Sequence, residues 1–240
     1  MELKIGFQSS RYNNLTLLEE LNFTIENNLK IFDIFFDGFL PKDISAKELR
    51  KILNLVSEDF VFTVHFPIFD YSKYPKFLDG LIDFCISIKI KIATIHFDRL
   101  SFKILEKILK KIDNKFKISI ENTIPDKNFI YNLNYIDFMK KINYNSVYST
   151  FDVGHANITQ NNLIEYLNIF KTDNISSFHI HDNSGNKDNH LNIGAGNIDF
   201  PSILSIIKEK FYDSILIIEH WDNNRLTFKE LEDNYEKSFC

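Results

Sequence analysis

Along the chain, short runs rich in β-branched and aromatic residues alternate with longer segments whose apolar residues recur at helical spacing. The strand-like runs cover 3–8, 31–37, 60–66, 92–98, 116–122, 147–153, 175–181 and 214–220. Between and after them, amphipathic patterns predict helices over 15–28, 46–57, 75–88, 102–112, 128–142, 163–170, 201–211 and 227–239. Eight strand-then-helix units in 240 residues predict an α/β fold, a single-domain closed (β/α)₈ barrel over 1–240. The alternative is an open, doubly wound sheet. No glycine-rich phosphate-binding turn follows an early strand, which counts against its nucleotide-binding form.

Within the strands a finer pattern recurs near the C-terminal end. Thr63-Val64-His65, Thr94-Ile95-His96, Ser119-Ile120-Glu121, Thr150-Phe151-Asp152 and Ser177-Phe178-His179 each read hydroxyl, apolar, then imidazole or carboxylate. Ile217-Ile218-Glu219 continues the register without the hydroxyl. Side chains alternate between the two faces of a strand, so hydroxyl and ligand share the inner face while the apolar residue packs outward. Six consecutive strands thus aim a metal-binding group at the C-terminal mouth, where barrel enzymes hold their active sites. Gathering several buried carboxylates without a cation costs several kcal/mol, so the pattern predicts a divalent metal. The hydroxyl layer is expected to hydrogen-bond these ligands and hold their orientation.

Two loop segments add donors: His155, three residues after Asp152 in DVGHA, and the Asp188-Asn189-His190 run. Mixed nitrogen and oxygen donors suit zinc, manganese or a similar first-row ion better than calcium alone. In FHIHDN, His179 and His181 face the same way. The shared register makes His179 the ligand and puts His181 about 6–7 Å nearer the mouth, to meet substrate or support the loop. Asn122, Lys187 and Trp221 are further candidates for substrate contacts.

Composition narrows the partners. Twenty-eight Lys and Arg against 33 Asp and Glu leave a net charge of −5 with no basic field, which disfavours nucleic acid and anionic membranes. The two cysteines make neither a thiolate metal cluster nor a disulfide framework, pointing to a reducing, cytoplasmic compartment. No apolar run approaches the ~18 residues of a membrane span, and the N-terminus lacks a signal-peptide pattern. The expectation is a soluble, unprocessed protein that acts on a small molecule, with self-association left open.

The segments HFP, IH, ENT, DVGHA, HIHDN, DNHLNIGAG and IIEH together resemble the xylose isomerase-like TIM barrel superfamily, from about the third strand onward. That superfamily includes sugar and sugar-phosphate isomerases and epimerases and endonuclease IV, of AP endonuclease family 2. The resemblance implies core metal ligands at Glu121, Asp152, His179 and Glu219, with Glu121 and Glu219 moving protons on either side of a sugar carbon. It implies further ligands, as in endonuclease IV, at His65, His96, His155, Asp188 and His190, and so between one and three ions in all. Two activities follow: a metal-dependent sugar or sugar-phosphate isomerase or epimerase, or a zinc-dependent phosphodiesterase acting on abasic-site DNA. A barrel that only binds metal, without activity, is the non-enzymatic reading. IHFD and GAG depart from turns common in the superfamily, so the resemblance leaves the substrate open.

Overall fold

Each strand pairs in parallel with the next, and the first pairs with the last, Lys4 opposite Ile215 and Phe7 opposite Ile218, which closes the sheet. The computed structural model describes residues 3–9, 15–36, 46–57, 59–124, 134–142, 146–171 and 174–220. Its strands are β1 Lys4–Gln8, β2 Ile31–Phe35, β3 Val61–His65, β4 Ile92–His96, β5 Lys117–Glu121, β6 Val147–Asp152, β7 Ile175–Ile180 and β8 Ile215–Ile218. All eight lie inside the runs read from the sequence. The closed barrel replaces the open-sheet alternative.

The helices are α1 Leu17–Glu26, α2 Ala46–Leu55, α3 Pro75–Ser87, α4 Phe102–Ile112, α5 Tyr135–Lys141, α6 Val153–Thr159, α7 Leu163–Leu167 and α8 Phe200–Lys210. Local chemistry sets many of their starts. Thr16 and Glu19 form a capping box at α1, and Ser101, Asn134, Asn162 and Asp199 accept from backbone N–H groups at α4, α5, α7 and α8. Helix α6 was not anticipated. It begins immediately after β6, with Asp152 as its N-cap accepting from the His155 N–H at 2.5 Å. The helix pattern over 227–239 and Trp221 lie outside the described residues. Among the described residues no helix is long and apolar enough to cross a membrane.

Three layers fill the barrel. Ile31, Val61, Ile92, Ile215 and Ile217 form an apolar plug at the N-terminal end. Above it lie Thr63, Thr94, Ser119, Thr150 and Ser177, and above those the imidazoles and carboxylates. The intervening residues, including Val64, Ile95, Ile120, Phe151 and Phe178, point outward into the core beneath the helices. Phe178 packs between Phe151 and Phe211, so Phe178→Ala would cost about 3–5 kcal/mol.

The hydroxyl layer behaves differently from expectation. Thr150 bonds Ser119 at 2.6 Å, Ser177 at 2.8 Å and Thr94 at 3.2 Å, while Thr63 donates to Asp33. These hydroxyls join one another across strands instead of bonding the ligands above. Residues i and i+2 share a face but are about 6–7 Å apart, whereas neighbouring strands bring equivalent residues within hydrogen-bond reach. At β7 the pairing shifts, Ser149 facing Ile175 and Thr150 facing Ser177. Ser176, the extra residue, also reaches Ser119, at 2.8 Å.

Candidate metal centre

At the C-terminal mouth the described ligand candidates converge on two carboxylates. Glu121, at the end of β5, is fully buried. Its Oε2 lies 2.9 Å from His65 Nε2 and 3.2 Å from His96 Nε2, and its Oε1 lies 3.2 Å from His155 Nδ1 and 3.4 Å from His179 Nδ1. Four imidazoles from four segments surround one glutamate. Glu219 approaches His179 Nδ1 at 2.9 Å, and Asp152 reaches the same nitrogen at 4.0 Å.

The second hub is Asp188, in the loop after β7. Its Oδ2 lies 3.3 Å from both His155 Nε2 and His190 Nε2, and its Oδ1 lies 3.8 Å from His181 Nε2. His155 therefore touches both hubs, one through each ring nitrogen. The loop carrying Asp188 is folded back by Asp182, whose buried carboxylate accepts from the backbone N–H groups of Asn183, Gly194, Gly196 and Ile198. A Cβ on Gly196 would stand 2.2 Å from Asp182 Oδ1, so only glycine permits that approach. His190 adopts a left-handed conformation, φ 46°, and its Nδ1 donates to the Glu219 carbonyl at 2.8 Å.

Do these residues fit a metal? His65, His155 and His190 each direct Nδ1 at a backbone carbonyl, of Phe66, Asn122 and Glu219, while Nε2 faces a carboxylate. A neutral imidazole has one N–H, so Nε2 there needs either a second proton or a cation. Tying Nδ1–H to a carbonyl is also how metal-binding histidines are commonly oriented. Glu121 Oε1, both nitrogens of His179, His181 Nδ1 and Asp188 Oδ1 are buried without a hydrogen bond. One ligand atom from each residue lies within 4.8 Å of the others in His155/His181/Asp188/His190, in His65/Glu121/His179, in Glu121/Asp152/His155 and in Asp152/His181/Glu219. The donor set fits divalent metal.

The carboxylates and imidazoles shift one another in opposite directions. Burial opposes ionisation of Glu121, yet His96, His179 and His155 hold it well below the usual carboxylate range. Burial likewise opposes Glu219, but His179 draws it down to about 2. Asp188 is lowered, its burial outweighed by His155 and His190. Conversely, burial alone would push the histidines down. Glu121 raises His65, Glu219 and Glu121 raise His179, Asp152 and Asp188 raise His155, and Asp152 raises His181. Without metal, protons on imidazoles supply the charge.

Other expected residues take different places. Asn122 is buried and clamps the backbone of Asp152, donating to its carbonyl at 2.9 Å and accepting from its N–H at 2.8 Å. The amide thereby holds the end of β6, from which the Asp152 carboxylate projects. Lys187 is exposed, and His181, expected as an outer neighbour, is wholly buried between Asp152 and Asp188.

Asp33 had not been singled out. It is buried in β2 opposite Thr63, and Gln8 Nε2 donates both to it, at 3.1 Å, and to Glu219. Burial raises its pKa, only partly countered by His179 and His65. Its signal in the sequence was an acidic residue inside an apolar strand, at the hydroxyl register.

The family description "Xylose isomerase-like TIM barrel" matches residues 91–239, more than half of the chain. The chain belongs to this family. It is 35% identical over 113 residues to the uncharacterized protein MJ1311 of Methanocaldococcus jannaschii, a match spanning 45% of this chain but only 38% of that protein. It is 28% identical over 243 residues to MJ1614 of the same organism, covering 86% of this chain and 88% of the relative. Among solved structures, a D-tagatose 3-epimerase-like protein superposes with TM-score 0.77 at 22% identity, covering 99% of this chain and all of the other. Endonuclease IV from Thermus thermophilus superposes with TM-score 0.69 at 12% identity, covering 98% of this chain and 99% of the other. At these identities the two structures share the family's fold, and the fold alone does not choose between their chemistries.

Proposed function

We propose that this member of the xylose isomerase-like family is a divalent-metal-dependent isomerase or epimerase acting on a sugar or sugar phosphate. The observation that carries the reading is the convergence of two buried glutamates from β5 and the end of β8, Glu121 at 3.4 Å and Glu219 at 2.9 Å, on one nitrogen of His179. Glu121, Asp152, His179 and Glu219 would hold the ion, with His65, His96 and His155 beside them. When bound, the ion, zinc or manganese, would polarise substrate oxygens and acidify the neighbouring C–H. One glutamate takes the proton from carbon and the other returns one, a division of labour that suits two carboxylates held ionised. Gln8 donates to Glu219 and so restrains its orientation.

The charge balance supports a small substrate over DNA. The chain carries 28 Lys and Arg against 33 Asp and Glu, and beside the site Arg99 pairs with Asp98 while Lys187 is exposed. Binding DNA depends chiefly on cations that meet phosphates. A phosphodiesterase is the second reading, favoured by the additional ligand group around Asp188.

The test is to load the protein with Mn²⁺, Co²⁺ or Zn²⁺ and follow C–H exchange in D₂O by NMR across ketoses, aldoses and their phosphates. Incision of abasic-site DNA is measured in parallel. Exchange at a carbon next to a carbonyl, lost in Glu219→Gln with the fold intact, is the expected result. Metal-dependent incision without exchange on any sugar would sink the proposal in favour of the phosphodiesterase.

A further inference from the structure

Strand alternation makes His179 and His181 face the same way, but the folded chain gives them different company. His179 sits among Glu121, Glu219 and Asp152. His181 stacks on His190, rings parallel within 8° and centroids 3.8 Å apart, and the same ring faces His155 at 5.8 Å. Its Nε2 lies 3.2 Å from both Asp152 oxygens and 3.8 Å from Asp188 Oδ1. The position is built for this ring. A Cβ on Gly154 would fall 2.0 Å from His181 Cε1, so α6 can start where it does only because residue 154 lacks a side chain.

Two atoms here are left over. His181 Nδ1 and Asp188 Oδ1 are buried and make no hydrogen bond. His155, His181, Asp188 and His190 are also the one group in which four residues, rather than three, bring a ligand atom each within 4.8 Å of the others among the described residues. Tetrahedral zinc, with bonds of about 2.0–2.2 Å, separates its ligand atoms by roughly 3.3–3.6 Å. The separations of His155 Nε2 and His190 Nε2 from Asp188 Oδ2, both 3.3 Å, fall in that range; His181 Nε2 lies 3.8 Å from the other oxygen, Oδ1, and would have to turn from Asp152 toward Asp188 to complete the set.

We propose that His181 is the fourth protein ligand of an outer zinc site completed by His155, Asp188 and His190, and that this site is closed and structural. Three protein ligands leave a position for water or substrate, whereas four fill the tetrahedron. The outer ion then pins the loop after β7 against the start of α6. It neither activates water nor takes a substrate oxygen. This assigns all chemistry to the inner group, and only in that consequence does it rest on the function proposed above.

The full-length chain is stripped with a chelator, then titrated with Zn²⁺ against a chromophoric competitor and with Co²⁺ by visible absorption. The wild type should take up one ion with the intense band of tetrahedral cobalt. His181→Asn should lose that band and weaken the ion by at least about tenfold, while Glu219→Gln should leave it unchanged. Circular dichroism checks that the variants fold. In the unmodified protein, the imidazole ¹⁵N resonance of His181 should move to a metal-bound position as the first zinc equivalent is added, which requires no variant. An unchanged affinity and cobalt spectrum in His181→Asn, or a His181 resonance indifferent to zinc, would overturn the assignment. So would a loss confined to the inner ion, which would make His181 a hydrogen-bond donor to Asp152. A wild type with the tetrahedral band but no sugar turnover would count against the proposed reaction and leave this site standing.

Discussion

The two carboxylate hubs at the mouth are built from the same residue types but by different means. Glu121 stands at the end of a strand, its side chain 1% exposed, and its neighbours His65, His96 and His179 come from other strands of the same closed sheet. Asp188 stands in a loop, its side chain 27% exposed, held by the turn around Asp182 and by imidazoles from α6, the end of β7 and its own loop. The inner hub inherits the rigidity of the barrel, whereas the outer depends on a loop being tied back. Sites on scaffold elements are held more tightly than sites on loops, which suits the inner hub to chemistry and the outer to fastening.

The comparison breaks most sharply at Glu121. Replacing it by Gln removes the counter-charge from four imidazoles, so Glu121→Gln should lose about 3–5 kcal/mol of stability in the metal-free state and should no longer hold the inner metal. Denaturant melts near pH 6 with and without chelator measure this. A loss under about 1 kcal/mol would show that the imidazoles do not depend on Glu121.

Asp182→Asn should act on the outer hub alone. It removes an acceptor oxygen from the Gly194 and Gly196 N–H groups, costing about 2 kcal/mol. Hydrogen exchange over 184–198 should quicken while inner-site affinity stays as in wild type. Equal weakening of both ions would contradict the separation of the hubs.

A pH series tests what the hubs share. His65, His155, His179 and His181 lie above their ordinary 6.5 when folded, so their stabilisation of the metal-free protein is complete below pH 6.5 and lost as pH rises through the raised values. Glu121 and Glu219 lie below their ordinary 4.5, so their contribution is present above pH 4.5 and lost as pH falls, for Glu219 towards about 2. Metal-free protein should therefore be most stable between pH 4.5 and 6.5. Metal-loaded protein should keep its stability to higher pH, because the ion takes the protons' place. Chelated protein as stable at alkaline pH as at pH 6.5 would refute this account.

The smallest effect belongs to Lys187→Ala. The residue is exposed, and the change should alter stability by less than about 0.5 kcal/mol and neither metal affinity. A higher KM for a phosphorylated sugar alone would restore Lys187 as a substrate contact.

Much of this was legible before folding. Alternation of side chains along a strand is a local rule, so the hydroxyl-apolar-ligand register of β3 to β7 could be read directly, and with it the candidate ligands Glu121, Asp152, His65, His96 and His179. Helix α6 was missed because DVGHA is short and its cap, Asp152, reads first as a strand end. Asp33 was missed because β2 has Phe35 where its neighbours carry a ligand, which hid the strand's place in the register.

The sequence by itself determined the eight-unit barrel and the inward-facing layer, because hydrophobic period and strand alternation depend only on near neighbours. Tertiary structure alone decided that Glu121 gathers four imidazoles, that His155 spans both hubs, that the hydroxyls bond one another, and that His181 meets Asp188. Each of these depends on how far strands are staggered in the closed sheet and where a loop returns. Those distances join residues remote along the chain, and no local pattern encodes them.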